Sequence, residues 1–367
     1  MQGGKRVKIG VVGAGLIGQV EHIPNLRRLE RLYDLVGVAD ASPKMRAELE
    51  SRGLRAFEDY RGLLDAGLDA ILVAAPDQYH AEITLAALGK GVHVFCEKPL
   101  CFSVPEAREI AAAQEQAGKV VQVGYMKRFD PNYELLLSML PKDGAGLRFI
   151  SVEVQDPDSW PFNQHQGDFV KTDDVAPALI EDGKKRREKQ VQRATGRILT
   201  GAEMWGFTNS YCSSLIHDIN AVHGMLDTMG LDTGNVIGAA FFARGDGGHG
   251  SVRLTGRDAI WQMTHLFVPK IADYAERITL YFDDAAFELT FPSPYLNHFP
   301  TKLTVARSEG NVWQKTEYRA GYEEAFVREL QGFWGAVVEG KPVRNTIAAA
   351  ERDLAFAARL AESALRI

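Results

Sequence analysis

Three cysteines in 367 residues, Cys96, Cys101 and Cys212, are too few for a disulfide framework and show none of the paired spacing of a zinc site. They are expected as reduced thiols in a cytoplasmic protein, with no metal centre. Basic residues are not in excess: 42 Lys and Arg against 48 Asp and Glu leave a net charge of −6 and no global field to draw nucleic acid. Long apolar runs are missing too. Nothing approaches the ~18 residues of a membrane-spanning helix. The first apolar run, VKIGVVGAGLIG, is broken by glycines and lacks a cleavage signature, so no signal peptide is expected. No internal repeat is found. These absences leave a soluble intracellular protein without nucleic-acid or membrane partners.

What is present is enough chain for two domains, 46% hydrophobic and 25% charged. Residues 7–124 alternate short apolar runs (VKIGVV, LVGVA, DAILVAA, VHVF, VVQVG) with helical patterns, which indicates a parallel sheet covered on both faces. After Gly124 the texture changes to strands in succession: LRFISVEVQ, NVIGAAFFAR, SVRLTGR, ERITLYF, AFELTF, TKLTVARS and NVWQKTEYR. Such runs predict a second domain with an open, mostly antiparallel sheet. The fold class is therefore α/β plus α+β, with a doubly wound N-terminal sheet over 1–127 and a second domain over 128–367. Two helices close the chain, the first with Phe326, Leu330, Phe333, Trp334 and Val337 on one stripe. Residues 156–212 join a strand to a helix through about fifty residues, far beyond a usual connection. They read as a lid or subunit-contact arm, holding a helix interrupted near Gly183 and a solvated basic run, Lys184 to Arg187.

The strand Val7–Val12 runs into GAGLIG, in which Gly13, Gly15 and Gly18 carry a dinucleotide fingerprint, with Leu16 and Ile17 in the same cofactor-binding turn. Gly13 permits the tight turn, Gly15 lets backbone approach a pyrophosphate, and Gly18 allows close helix–strand packing. Asp40, 22 residues beyond Gly18, ends the next strand and suits a ribose 2′-OH. A carboxylate there repels a 2′-phosphate, so NAD is expected over NADP, although Lys44 and Arg46 lie within reach.

Ligands of a doubly wound sheet bind beyond the carboxyl ends of its strands. AAPDQYH ends the third strand, CEKP the fourth and GYMKRF the fifth. Pro99 cannot sit inside a central strand, so the fourth is expected to end at Cys96 with Lys98 on the cofactor side. A cation there can polarise or protonate a substrate oxygen during hydride transfer; it can equally be a surface lysine paired with Glu97. In SSLIHDINAVHGML, Leu215, Ile219, Val222 and Leu226 form one apolar stripe. Ser213, His217 and Asn220 fall opposite it, facing either solvent or substrate, while His223 on the flank reads as structural. A histidine with a near-neutral pKa suits a base removing an alcohol proton.

KIGVVGAGLIG, VADASP, APDQYH, CEKPL, GYMKRFDP and LIHDINAVH, in this order, resemble the Gfo/Idh/MocA family of NAD(P)-dependent oxidoreductases. The resemblance implies a Rossmann domain for the cofactor and an open sheet that lines the substrate site and assembles homodimers or homotetramers. Implied substrates are sugars, glycosides and cyclitols such as inositols. By position Lys98 matches the active-site lysine and His217 the catalytic histidine. Ala75, Pro76, His80, Glu97 and Pro99 match cofactor-side positions, and Arg128 a position near the substrate entrance that also serves the cofactor. Tyr125, Arg128, Ser213 and Tyr295 join Lys98 and His217 as expected substrate contacts. Two departures matter: Ser213 stands where many members carry an aspartate four residues before the histidine, and the segment 156–212 is unusual. The implied function is reversible oxidation of a secondary hydroxyl by NAD. An NAD-dependent glycosidase or lyase with tightly held cofactor is an alternative, as is a non-catalytic NAD- and sugar-binding regulator.

Overall fold

The computed structural model describes residues 5–165 and 169–366. It divides into two compact units, one of Met1–Tyr125, Gln166–Ile198 and Phe326–Arg352, the other of Met126–His165, Leu199–Ala325 and Asp353–Ile367. The first unit ends its leading stretch two residues short of the expected boundary at 127. It also recovers two later segments that a linear division gives to the second domain.

The first unit strings together β1 (Val7–Val12), α1 (Ile23–Arg28), β2 (Tyr33–Ala39), α2 (Pro43–Ser51), β3 (Ala56–Phe57), α3 (Tyr60–Leu64), β4 (Ala70–Val73), α4 (His80–Gly89), β5 (His93–Glu97), α5 (Val104–Ala117) and β6 (Val121–Gly124). The six strands are parallel in the order β3-β2-β1-β4-β5-β6. β4 is buried throughout and β1 everywhere but Lys8, which is why neither shows the alternation of a one-sided sheet. Strand order reverses between β1 and β4, and the crevice at their carboxyl ends is where such sheets take ligands. β5 runs one residue further than expected, through Glu97, which pairs with Gly124 of β6.

Next in the chain come α6 (Pro131–Met139), β7 (Leu147–Asp156), α7 (Trp160–Asn163), α8 (Pro177–Thr195), α9 (Gly201–Trp205) and α10 (Leu215–Thr228). α8 is uninterrupted. Gly183 does not break it; a Cβ there would stand 2.7 Å from Gln78 Nε2 and 3.2 Å from the Tyr79 hydroxyl, so glycine lets the helix lie against the chain before α4. The basic run divides: Lys184 and Lys185 are exposed, whereas Arg186 bonds to Asp182 and Glu82 and Arg187 to Gln78.

The second sheet is completed by β8 (Asn235–Phe241), β9 (Gly247–Arg253), β10 (Ile260–Phe267), β11 (Ala275–Phe282), β12 (Ala285–Phe291), β13 (Lys302–Glu309) and β14 (Val312–Tyr318), in the order β14-β13-β12-β11-β7-β10-β9-β8. Neighbours are antiparallel except β7 and β10. β10 is an addition to the strands read from sequence. On its buried face Trp261 stacks at 4.9 Å on Phe356 of α12 (Ile347–Ala364). The preceding α11 (Ala325–Glu339) joins the first unit, where Leu330 and Phe333 enter the core with Ile9, Val11, Leu72 and Phe95. Among the described residues no helix is long and apolar enough to cross a membrane.

Candidate active site

Each glycine of the first turn has its own steric reason. Gly13 has φ +97°, and a Cβ there would stand 2.3 Å from the Ala74 carbonyl oxygen; one on Gly18 would stand 2.4 Å from the Gly13 oxygen. These two close the turn against β4 and against itself. Gly15 differs: no atom lies within 4 Å of the position its Cβ would take. That open space, at the start of a helical run, fits a pyrophosphate. Asp40 is fixed beside it, its Oδ2 accepting from Ala14 N and its Oδ1 from Ser42 N, both at 2.9 Å. Each carboxylate oxygen keeps a further lone pair for a ribose hydroxyl. The donor and acceptor set of this turn therefore fits a dinucleotide. Leu16 and Ile17 lie in the same turn, partly exposed. The two nearby cations are engaged elsewhere: Arg46 donates to the Asp40 carbonyl at 2.9 Å, and Lys44 Nζ pairs with Asp173 at 2.8 Å.

At the ends of β4 and β5 two buried histidine contacts hold the chain. His80 lies with Nε2 2.7 Å from the Ala75 oxygen and Nδ1 2.7 Å from the Pro99 oxygen. Carbonyls only accept, so both contacts are satisfied only by the imidazolium. Burial opposes that charge, but Cys96, Asp77 and the Pro99 carbonyl outweigh it and push the pKa up to about 10. A charged His80 thus ties the Ala75–Pro76 turn to the residue after Lys98. Because this pKa stands above the ~6.5 of an unfolded histidine, its contribution to stability is whole below about pH 6.5 and is lost as pH rises toward the folded value. Wild-type stability in urea is therefore expected to fall between about pH 7 and 10 more steeply than that of His80→Gln, whose side chain does not titrate. Parallel curves would show that His80 is neutral.

Glu97 ends β5 with 5% of its surface exposed, and its Oε1 lies 2.6 Å from His22 Nε2. Burial pushes its carboxyl up, but the hydrogen bond and charge of His22 and the charge of Lys98 outweigh this and hold it below the usual range. Its Oε2 accepts from the Lys98 amide at 3.1 Å, and Gly124 leaves it room, since a Cβ there would meet it at 3.1 Å. Glu97 is therefore buried and holds the Lys98 backbone. Lys98 itself is partly exposed.

In the second unit, α10 follows a π-helical run, Gly206–Ser214, a geometry frequent at functional sites. Leu215, Ile219, Val222 and Leu226 are buried as the stripe requires, whereas Ser213 and His217, one turn apart, are partly exposed. Asn220 is not with them. It is fully buried and donates to Asp353 Oδ2 at 2.6 Å, while His223 lies 2.5 Å from Asp353 Oδ1, the structural role expected of it. Arg128 donates through Nε and Nη2 to the Asn220 carbonyl at 3.1 and 2.7 Å, beside the Tyr133 hydroxyl on the Ala221 carbonyl. Gly224 makes room for both, as a Cβ would stand 2.3 Å from that hydroxyl and 3.0 Å from the Arg128 Cζ. Arg128 thus clamps α10. The Tyr125 side chain is 1% exposed, and Tyr295 is partly exposed in the turn after β12.

Sequence reading passed over Lys127. Its ammonium lies buried between Asp218 Oδ1, at 2.7 Å, and Glu276 Oε1. The available signal was the acid following His217 in LIHD, too short for solvent if its helix face is enclosed. Asp173 and Asp174 were also missed. A cavity of ≈ 430 Å³ lined by Lys5, Asp69, His93 and Lys119 lies at the amino ends of β1, β4 and β5, the opposite edge from the glycine turn.

A six-stranded parallel sheet with its glycine turn at the β1–β4 reversal and an acid ending β2 defines a dinucleotide-binding protein of the Rossmann class. Residues 7–125 match the Gfo/Idh/MocA family model, described as "Oxidoreductase family, NAD-binding Rossmann fold". Among curated relatives, Inositol 2-dehydrogenase of Paracoccus denitrificans (strain Pd 1222) is 42% identical over 138 residues, 35% of this chain and 40% of that protein. The chain's matches to the first curated relatives span less than half of their length. Over the whole chain the fold is shared with an inositol dehydrogenase homolog from Azotobacter vinelandii, solved with NADH and myo-inositol (TM-score 0.72, 19% identity, 99% of this chain and 96% of that one). It is shared too with KijD10, a 3-ketoreductase from Actinomadura kijaniata, solved with NADP and TDP-benzene (TM-score 0.70, 20% identity, 96% of each chain).

Proposed function

We propose that the protein reversibly oxidises a secondary hydroxyl of a sugar, glycoside or cyclitol, with NAD as hydride acceptor. The observation that carries this reading is the end of β5, where the buried Glu97 holds the backbone of Lys98 at the carboxyl edge of a dinucleotide-binding sheet. The inositol dehydrogenase names of the relatives support the substrate class. Bound NAD supplies the hydride acceptor. Of the chain's own groups, Lys98 donates a hydrogen bond to the hydroxyl being oxidised and His217 takes its proton. Ser213, one turn before His217, is neutral and holds no negative charge against the imidazolium, so Lys98, substrate or water takes up the part an aspartate would play. The assembly in this reading is a homodimer or homotetramer through the second sheet. An NADH-absorbance screen against inositols, aldoses, sugar acids and glycosides tests the activity. Turnover without net NADH would favour a glycosidase or lyase, and binding without turnover a regulator.

For the cofactor, the reading is NAD over NADP, supported by the Asp40 carboxylate fixed beside the glycine turn. Asp40→Ala is expected to weaken NAD by about 1–2 kcal/mol, the scale of a charge-assisted bond, and to weaken NADP less. Calorimetric titration reads both. Equal or tighter NADP binding by the wild type would sink this preference.

A further inference from the structure

Immediately after Asp40, the first turn of α2 offers three donors that suit an anion. They are the Ser42 hydroxyl, the Lys44 amide at the helix N-terminus, and the Lys44 ammonium. Ser42 is also tied to Asp40, its amide donating to Asp40 Oδ1 at 2.9 Å. If Asp40 takes the ribose hydroxyls, as the NAD reading requires, these donors stand where a 2′-phosphate would be bound. All three are already taken by the chain. Asp174 accepts from the Ser42 hydroxyl through Oδ1 and from the Lys44 amide through Oδ2 at 2.8 Å, and Asp173 Oδ1 holds the Lys44 ammonium at 2.8 Å.

The carboxylates are delivered by a segment anchored on both sides. Before them, Val170 exchanges two hydrogen bonds with Gln19 of the helical run after the glycine turn, at 3.0 and 2.9 Å. After them, α8 is held on the chain preceding α4: the Tyr79 hydroxyl donates to Leu179 O at 3.1 Å, Arg187 to Gln78 Oε1 at 3.0 Å, and Gln190 to Gln78 O at 3.1 Å. Both acids are also held below the usual carboxylate range, Asp173 by the Lys44 hydrogen bond and charge, Asp174 by the Ser42 hydroxyl and then the Lys44 amide. They stay ionised at neutral pH.

We propose that Asp173 and Asp174 form an intramolecular anion that fills the 2′-phosphate subsite and makes this segment a determinant of selectivity against NADP. A 2′-phosphate approaching Ser42 and Lys44 meets two carboxylates in place of free donors, and like charges at such range repel. This inference rests on the NAD reading and adds to it: Asp40 selects for the ribose hydroxyls, while the segment closes the subsite that would accept a phosphate.

The test is calorimetric titration of the full chain with NAD, NADP, 5′-ADP and 2′,5′-ADP. Asp173→Asn/Asp174→Asn removes the charge at nearly constant shape, and Asp173→Ala/Asp174→Ala opens the space; thermal melts establish that each is folded. NADP and 2′,5′-ADP are expected to bind at least ~10-fold tighter to a double variant than to the wild type, with the Kd ratio of NADP to NAD as the readout. Adding Lys44→Ala should remove most of that gain. An unchanged ratio in both folded double variants that still bind NAD overturns the inference and leaves the NAD reading standing. A wild type that binds NADP as tightly as NAD defeats that reading and the inference with it.

Discussion

Replacing Lys98 by methionine is expected to lower kcat at least ~100-fold on a substrate verified by the absorbance screen, the usual scale for removing an acid/base or electrostatic group. Methionine keeps most of the apolar stem, so the loss reports the ammonium rather than packing. The backbone at this position is held independently of the side chain, by the Glu97 carboxylate on the Lys98 amide and by His80 on the Pro99 carbonyl. NAD affinity should therefore change little. In the proposed reaction the ammonium would stabilise an oxygen whose negative charge grows along the path, an interaction stronger in the transition state than in the ground state, so the loss should fall on kcat. Under the proposed reaction, in which both groups act on the substrate hydroxyl, His217→Ala should act on the same step and the two losses should be less than additive. A Lys98→Met enzyme that keeps most of its kcat would remove the lysine from the chemistry.

The glycine turn was legible because each feature of it is local: strand, turn, helix and the acid ending the next strand follow within forty residues. The stripe on α10 was legible for the same reason, since Leu215, Ile219, Val222 and Leu226 report their own burial through periodicity. Periodicity does not report the partner. The stripe of α11 was read correctly as apolar, yet Leu330 and Phe333 are completed by strands some three hundred residues earlier, so a linear division assigned that helix to the second domain. Asn220 was placed on an open face by a helical wheel, which knows nothing of Asp353 on α12 enclosing that flank. Gly183 read as a break because glycine disfavours helix; its tertiary reason, the approach of Gln78 and Tyr79, overrides that propensity. β10 was simply passed over, although Trp261, Met263 and His265 alternate with Gln262 and Thr264 as a half-buried strand should.

The same limit applies to charge. In KRF the arginine donates to the backbone of α10, while its neighbour Lys127 is the buried ion. Nothing local distinguishes the two, because the acids that take Lys127 stand on α10 and β11. Asp173 and Asp174 were hidden likewise, their partners Ser42 and Lys44 lying about 130 residues earlier.

Lys127→Met carries the largest expected effect on stability. The ammonium is 2% exposed, against 1% for Asp218 and 5% for Glu276, so one cation balances two carboxyls out of reach of water. Burial pushes the Lys127 pKa down, but the charges of Asp218 and Glu276 outweigh it and hold it above the usual value. Burial and then the Glu276 charge push Asp218 up, to about 8 even against the opposing pull of Lys127. Removing the cation leaves two acids that must be buried as anions or take up protons, and breaking a buried pair in this way costs about 3–5 kcal/mol. The sign with pH follows. A carboxyl whose folded pKa is raised contributes stability fully below its unfolded pKa, near 4, and loses it as pH rises through the folded value. The deficit of Lys127→Met relative to wild type should therefore be small near pH 4 to 5 and grow toward pH 8 in urea titrations. Adding Asp218→Asn and Glu276→Gln should recover much of the loss, because well-packed neutral groups replace a buried ion cluster at little net cost. Asp218 is the residue after His217, so the cluster also fixes the turn of α10 that carries the histidine. Equal stability of Lys127→Met and wild type from pH 5 to 8 would show that the cluster is already relaxed by protonation or water, and that α10 does not depend on it.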